Sequence, residues 1–193
     1  MLELLTTLYA SKSSGPDGIS ARMLKSTAGN ICPLVTLLFN HSIASGQIPD
    51  QWKQSHVVPI PKSTKVQSPD NYWPTSLLSV LSKFLENHVH SLITSHLLER
   101  CILSDSQWGF LPGRSTVSAL LSTVCHWFQL FEEGKEVFAV FQDFRKAFDS
   151  VPHGLLIQKL YHIGLDGHLI LRVSNYLTTR MWQVVADGAP LPV

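Results

Sequence analysis

The stretch EVFAVFQDFRKAFDSVPH, residues 136–153, places a carboxylate directly after an apolar run. Residues 135–143 are nearly continuous in apolar character, which is typical of a strand buried on both faces of a sheet. Such a strand would hold Asp143 rigidly at its C-terminal edge, and Mg²⁺ is usually bound by one or two carboxylates together with substrate phosphates. From spacing alone, an aspartate that ends a strand and caps the following turn is the more common case.

The second acid of this stretch, Asp149, follows six residues after Asp143. That separation fits neither one face of a helix nor one face of a strand. We therefore interpret Asp149 as a helix cap or a salt-bridge partner, and Asp143 as the one candidate metal ligand of the stretch.

The rest of the chain reads as mainly helical. Ser20 is expected to cap a short helix from Ala21 to about residue 28, Ser115 or Thr116 to cap a later one, and Gly46 and Gly134 to end two others. Periodicity predicts helices over residues 32–46, 76–100, 117–134, 153–164 and 166–179, strands over 55–62 and 180–188, and a loop over 65–76. This order predicts an α+β fold whose last strand has an open edge.

Composition sets limits on function. The 193 residues include 15 Lys and Arg against 14 Asp and Glu, a net charge of +1, so no global field attracts nucleic acid and a binding groove would need a few placed cations. No apolar run is long enough for a membrane span, and the N-terminus does not read as a signal peptide. Three widely spaced cysteines, Cys32, Cys101 and Cys125, are expected to be buried reduced thiols of an intracellular protein, in nucleus or cytoplasm.

Two other segments offer cations. SQWGFLPGRST (residues 106–116) places Arg114 just ahead of a helix, where backbone N–H groups and a guanidinium could meet phosphates. VVPIPK (57–62) ends in Lys62, close to Lys65. Taken alone, each segment is more commonly an ordinary solvated loop.

In this order and spacing, the segments resemble the reverse transcriptase of non-LTR (LINE-type) retrotransposons. The resemblance covers nearly the whole chain, from about residue 13 to the last residue. The matching motifs are GPDGI (15–19), VPIPKS (58–63), SPDNYWPTSLLSVLSKFLE (68–86), QWGFLPGRST (107–116), VFAVFQDFRKAFDSVPH (137–153) and NYLTTRMWQVVADG (175–188). The resemblance implies a right-hand RNA-directed DNA polymerase, with a fingers-like section over about 13–134 and an incomplete palm over about 135–193. It also implies an RNA template, a DNA primer and dNTP as partners, and two Mg²⁺ ions about 4 Å apart as cofactors.

The resemblance assigns roles residue by residue. Asp143 matches the first catalytic aspartate and would bind metal with the backbone carbonyl of Phe144 nearby. Phe148 matches the aromatic residue that excludes the ribose 2′-hydroxyl. Lys62 matches a nucleotide-binding lysine of the fingers, and Arg114 is the cation of a segment that lies along template and incoming nucleotide.

Two single residues depart from the family pattern. Trp73 stands where the family commonly has an arginine, and losing that phosphate contact would cost on the order of 2–3 kcal/mol. Gln142 replaces a usual apolar residue, and its amide, buried and unpaired, would cost about 1–3 kcal/mol.

The family's paired catalytic aspartates have no counterpart, because the sequence contains no Asp-Asp dipeptide. We therefore expect fingers and the first part of the palm, truncated before the Asp-Asp hairpin and inactive alone, since phosphoryl transfer depends on positioned charge. One alternative is a non-catalytic template-binding module that uses Lys62, Lys65, Arg114, Arg145 and Lys146. Another is a decayed helix-rich remnant without enzymatic role, which would self-associate through its unfinished sheet.

Overall fold

The computed structural model describes residues 1–11, 13–64, 68–186 and 189–190. The chain forms two compact units, a larger one of Met1–Thr94 with Pro152–Val193 and a smaller one of Ser95–Val151. These limits differ from the expected division near residue 134, because residues after 152 belong with the first 94. The fingers and palm sections therefore stay a prediction.

Helices predominate, in agreement with the predicted α+β class. They are α1 (Leu2–Thr6), α2 (Ala21–Ser26), α3 (Ala28–Ser45), α4 (Val80–Glu99), α5 (Thr116–Glu132), α6 (His153–His162) and α7 (Gly167–Leu177). The predicted boundaries at Ser20 and Gly46 are confirmed: the Ser20 hydroxyl accepts a hydrogen bond from the Met23 amide, and Gly46 ends α3 with φ of 68°. Within the described part of the chain, no helix has both the length and the apolar character to cross a bilayer.

A small sheet forms part of the larger unit. Its strands are β1 (Gln54–Pro61), β2 (Tyr72–Leu77), β3 (Met181–Ala186) and β4 (Ala189–Pro190), in the order β2-β1-β3-β4. β2 runs antiparallel to β1 with Thr75 opposite Val58, and β3 runs parallel to β1 with Gln183 opposite His56.

Two predictions about this sheet need correction. The segment 65–76 is not a loop throughout, because β2 begins at Tyr72. Pro74 is tolerated in β2 because β2 is an edge strand of this sheet. The edge of β3 is not wholly open either, because Val185 and Ala186 pair with β4. Residues 65–67, and with them Lys65, lie outside the described residues.

The core of the larger unit is built by its helices and the residues before β1. Leu5 and Leu85 are fully buried, and the ring of Phe39 meets that of Trp52 edge to face at 5.8 Å between centroids. Each such side chain contributes roughly 1.5–3 kcal/mol through burial. The sequence signals for α3 and α4 therefore lead to real packing in this unit, and α1, which was not predicted, packs into the same core.

The GPDGI motif fastens its turn to the start of α4. Asp17 accepts hydrogen bonds from the Ser79 hydroxyl at 2.6 Å and from the Ile19 amide at 3.2 Å. A Cβ at Gly15 would lie 2.4 Å from the backbone nitrogen of Ser79, so only glycine fits this approach. The turn of the GPDGI motif thus has a packing role.

The smaller unit is much less buried. No residue of α5 is buried, and residues 135–144 form no strand. The predicted buried strand over 135–143 is therefore wrong: this segment belongs to no ladder of the described sheet, and without partners for its backbone groups an apolar run does not become a buried strand. The cysteine prediction is also wrong for Cys101 and Cys125, which are exposed, whereas Cys32 is half-buried.

Candidate functional site

Four of the five predicted site residues, Asp143, Phe144, Phe148 and Arg114, lie in the smaller unit, and Lys62 lies in the larger one. Asp143 and Phe144 end the irregular segment, and turns follow over residues 145–150. The Asp143 side chain is exposed and makes no hydrogen bond or ion pair with another described residue. Asp143 therefore does not cap the following turn, which was the alternative to a metal-ligand role. Its carboxylate is accessible to a cation.

The neighbouring polar residues differ from their predictions. Gln142 is exposed, so water can satisfy its amide and the expected burial penalty does not arise. Asp149 is also exposed and forms no ion pair within the described residues, and the cap position of α6 is Pro152, without a side-chain hydrogen bond. The cap or salt-bridge role predicted for Asp149 is therefore wrong for the residues described.

Two predicted motifs meet through their aromatic rings. Phe148 packs edge to face against Phe110 of the QWGFLPGRST motif, with 5.9 Å between centroids and 90° between ring planes. Both rings stay largely exposed, at 78% and 83%. This pair brings Phe148, the candidate sugar-excluding residue, to the QWGFLPGRST loop. The sequence does not predict this contact, because Phe110 and Phe148 are far apart in the chain.

Arg114 is held by its own loop. Its Nη1 donates to the backbone carbonyls of Asp105 and Gln107, the latter at 2.6 Å, and its Nη2 lies 3.6 Å from the Asp105 carboxylate. The guanidinium carbon also lies 5.2 Å from the centroid of the Trp108 ring, a cation–π distance. Arg114 therefore organises residues 105–108, and much of its donor capacity is already used.

The helix that follows this loop starts with a capping box. The Ser115 hydroxyl accepts a hydrogen bond from the Ser118 amide at 3.1 Å, and the Ser118 hydroxyl accepts one from the Ser115 amide at 2.9 Å. The predicted cap at Ser115 is confirmed. These bonds satisfy two of the N–H groups that a phosphate would otherwise meet at the start of α5.

Lys62 follows the last residue of β1. Its backbone amide donates to the Asn71 carbonyl at 2.8 Å, closing the β1–β2 connection, and its side chain is exposed. Trp73 lies on β2 opposite Ile60 and is 57% exposed, so its indole presents an apolar surface where the family commonly has an arginine.

A metal centre needs more donors than this site supplies. Within the described residues, no group of three His, Cys, Asp or Glu side chains lies close enough to hold a metal ion. Mg²⁺ prefers six oxygen ligands and usually keeps some waters, so one carboxylate fits one ligand position and not a complete site. The donor set does not by itself match the two Mg²⁺ ions that the resemblance implies.

Comparison with known proteins gives consistent matches. Residues 60–191 match the family described as reverse transcriptase (RNA-dependent DNA polymerase). The chain is 35% identical over 161 residues to the probable RNA-directed DNA polymerase from transposon BS of Drosophila melanogaster, covering 83% of this chain and 18% of that protein. It is 28% identical over 187 residues to the RNA-directed DNA polymerase from mobile element jockey of the same species, covering 96% and 20%.

A third relative is the retrovirus-related Pol polyprotein from type-1 retrotransposable element R2 of Popillia japonica. It is 27% identical over 166 residues, covering 85% of this chain and 21% of that protein. The chain thus spans about a fifth of the length of these relatives.

Proposed function

Because the chain belongs to the reverse transcriptase family and its relatives come from LINE-type retrotransposons, we propose that it forms the part of an RNA-directed DNA polymerase that carries the first catalytic aspartate. The observation that carries this proposal is the family match over residues 60–191, which includes Lys62, Arg114, Asp143 and Phe148. RNA template, DNA primer and dNTP are the partners of the whole polymerase under this proposal.

In this proposal, Asp143 supplies one oxygen ligand to a catalytic Mg²⁺, with the Phe144 carbonyl beside it. Its exposed, unpaired carboxylate supports this role, because it needs no rearrangement to meet a cation. The remaining carboxylates would come from outside the described residues. We accordingly propose that the 193-residue chain alone does not polymerise, since a single carboxylate cannot position two metal ions.

Phe148 would set the preference for deoxyribonucleotides. Its ring stands against Phe110, and this edge-to-face contact would limit where the Phe148 ring can move. A ring held in this way would occupy the space of a 2′-hydroxyl. Arg114 would then act by shaping the loop that carries Phe110 and would contact nucleotide only with its remaining donors.

The metal-ligand role of Asp143 can be tested on the chain itself. Mn²⁺ replaces Mg²⁺ at oxygen sites and broadens nearby NMR signals, so titration should broaden the signals of residues 143–148. Asp143→Asn should abolish the broadening, whereas the matched variant Asp149→Asn should keep it. Equal broadening in wild type and Asp143→Asn would contradict the assignment.

Primer extension tests the inactivity of the isolated chain. With an RNA template, a DNA primer, dNTP and Mg²⁺, we expect no extension product. Robust extension that disappears in Asp143→Ala would mean that the chain holds a complete catalytic centre.

A template-binding role without catalysis is the second candidate. Arg145 and Lys146 are exposed and have no acidic partner within 4.0 Å among the residues described, so both can meet phosphates. RNA binding through them would weaken steeply with salt. The double variant Arg145→Ala/Lys146→Ala should lower RNA affinity at low salt relative to Lys159→Ala, and equal affinities would exclude this role.

A further inference from the structure

A polar cavity of about 330 Å³ lies in the larger unit. It is lined by the end of α3, the residues that connect α3 to β1, and α7; the polar groups include His41, Gln47, Asp50, Lys53 and Asn175. None of the residues proposed for polymerase chemistry belongs to this lining. Ligand binding at this cavity would therefore be independent of the polymerase chemistry proposed above.

The central group is the Lys53 ammonium. Lys53 is only 6% exposed, yet its Nζ makes long contacts, 3.4 Å to the Thr179 hydroxyl and 3.6 Å to the Asp50 carboxylate. The Asp50 side chain is 95% exposed, so water screens it. An ammonium has three donors, and burying it without a close counter-charge is costly. Lys53 is therefore a buried cation whose ion-pair partner, Asp50, stands in solvent.

Two further basic side chains, on or just after α7, lie outside the lining of this cavity. Arg172 of α7 is 3% exposed, and its Nε has no hydrogen-bond partner in the described part of the chain. Arg180, just after α7, has an Nη1 in the same condition. Burial lowers the pKa of Arg172, and the Glu86 carboxylate partly offsets that effect. Because these arginines do not line the cavity, its attraction for an anion comes from Lys53 and the neutral donors around it.

The cavity also offers neutral donors. The Ile48 amide donates to Asn175 Oδ1 at 3.0 Å, which fixes the side-chain amide and leaves its Nδ2 without a partner among the described residues. The imidazole of His41 gives another donor from α3. A cation with neutral N–H donors around a polar cavity is the donor set that recognises phosphate oxygens.

We propose that this cavity binds a phosphate group through the Lys53 ammonium, with the Asn175 amide and the His41 imidazole as further donors. The phosphate could belong to a free nucleotide or pyrophosphate, or to the backbone of a nucleic acid. Asp50 competes with the phosphate for Lys53, so its removal should strengthen binding.

The test uses the whole chain with two probes, inorganic pyrophosphate by calorimetry and a short single-stranded RNA by fluorescence anisotropy. Lys53→Met keeps most of the side-chain length without the charge and should weaken pyrophosphate binding about tenfold or more. Asp50→Asn should tighten it. Lys159→Met removes one charge from an exposed position on α6 and should leave pyrophosphate affinity at the wild-type value.

The RNA arm identifies the source of the phosphate. If a backbone phosphate occupies the cavity, Lys53→Met should also reduce the slope of log affinity against log salt by about 0.7. Pyrophosphate binding with an unchanged RNA slope would assign the cavity to free phosphates. Both outcomes support the proposal.

Equal pyrophosphate affinity in Lys53→Met and Lys159→Met would overturn it. If circular dichroism shows that Lys53→Met does not fold, Asp50→Asn decides, because its substitution lies at an exposed side chain. Tighter pyrophosphate binding would then support the cavity as a phosphate site, and unchanged binding would refute it.

Discussion

Two apolar segments of similar character have opposite outcomes in the two units. In the larger unit, β1 pairs with β2 on one side and with β3 on the other. In the smaller unit, residues 137–141 have no partner in the described sheet, and Phe138 and Phe141 are both 88% exposed. An apolar run thus becomes a strand only where its backbone N–H and C=O groups find a ladder.

The long helices of the two units show the same difference. α3 buries Val35 and Phe39, whereas Val117 and Phe128 of α5 are 74% and 63% exposed. Exposed apolar surface of this extent marks a face that packs against another chain segment or protein. The apolar side chains of the smaller unit are therefore of the kind found in a packed core, but in this unit they stay exposed.

The largest expected effect compares a buried side chain of the larger unit with an exposed side chain of the smaller unit. Leu85→Ala removes a fully buried side chain of the larger unit and should lower the free energy of unfolding by about 2–5 kcal/mol. Phe138→Ala removes a larger side chain but an exposed one, and should change it by less than about 0.5 kcal/mol. Urea denaturation followed by circular dichroism measures both. A similar loss in the two variants would mean that Phe138 is packed in solution.

A smaller effect is expected at the two glycines that follow long helices. Gly46 and Gly134 both have positive φ, at 68° and 74°, but a Cβ at Gly46 would lie 2.8 Å from the Leu171 Cβ, whereas one at Gly134 would meet nothing within 4 Å. Gly46→Ala should therefore cost about 2 kcal/mol or more, and Gly134→Ala about 1 kcal/mol, the backbone penalty alone. Thermal unfolding of both variants checks this, and equal losses would show that the contact of Gly46 with α7 is absent.

The smallest effect concerns a cap within the smaller unit. Ser115→Ala removes the hydroxyl that accepts from the Ser118 amide, and should destabilise α5 by about 1 kcal/mol. Amide hydrogen exchange over residues 116–132 should become faster. Ser122→Ala, in the middle of the same helix, serves as the control and should leave exchange unchanged or slower. Unchanged exchange in Ser115→Ala would show that the cap does not limit the helix.

The sequence predicted the helix ends of this fold better than it predicted the pairing of strands that are distant in the chain. Ser20, Gly46 and Ser115 mark helix ends through backbone bonds formed within a few residues, so the sequence suffices to find them. The pairing of β1 with β3 joins residues more than a hundred positions apart, and no turn between them signals it. β2 was predicted as a loop, and its Pro74 does not distinguish the two, because proline occurs both on edge strands and in loops.

The candidate site divides in the same way. The motifs predict which residues belong to the site, since Asp143, Phe148 and Arg114 lie in segments that follow one another in the order typical of the family. The motifs do not predict the surroundings of these residues, because the contact of Phe148 with Phe110 and the anchoring of Arg114 on residues 105–108 depend on loop conformation. The burial of the strand before Asp143 failed as a prediction for a different reason: burial depends on partners, and periodicity describes only the segment itself.

Residues 137–142 carry Asp143 on a largely exposed, unpaired segment, while β1 is held in a sheet. Hydrogen exchange read by mass spectrometry compares the two segments in one experiment on the intact chain. We predict that the amides of residues 137–142 exchange at nearly the rate of an unstructured peptide, while those of residues 55–60 are protected. Protection of residues 137–142 equal to that of β1 would show that this segment forms a paired strand in solution, contrary to the structure.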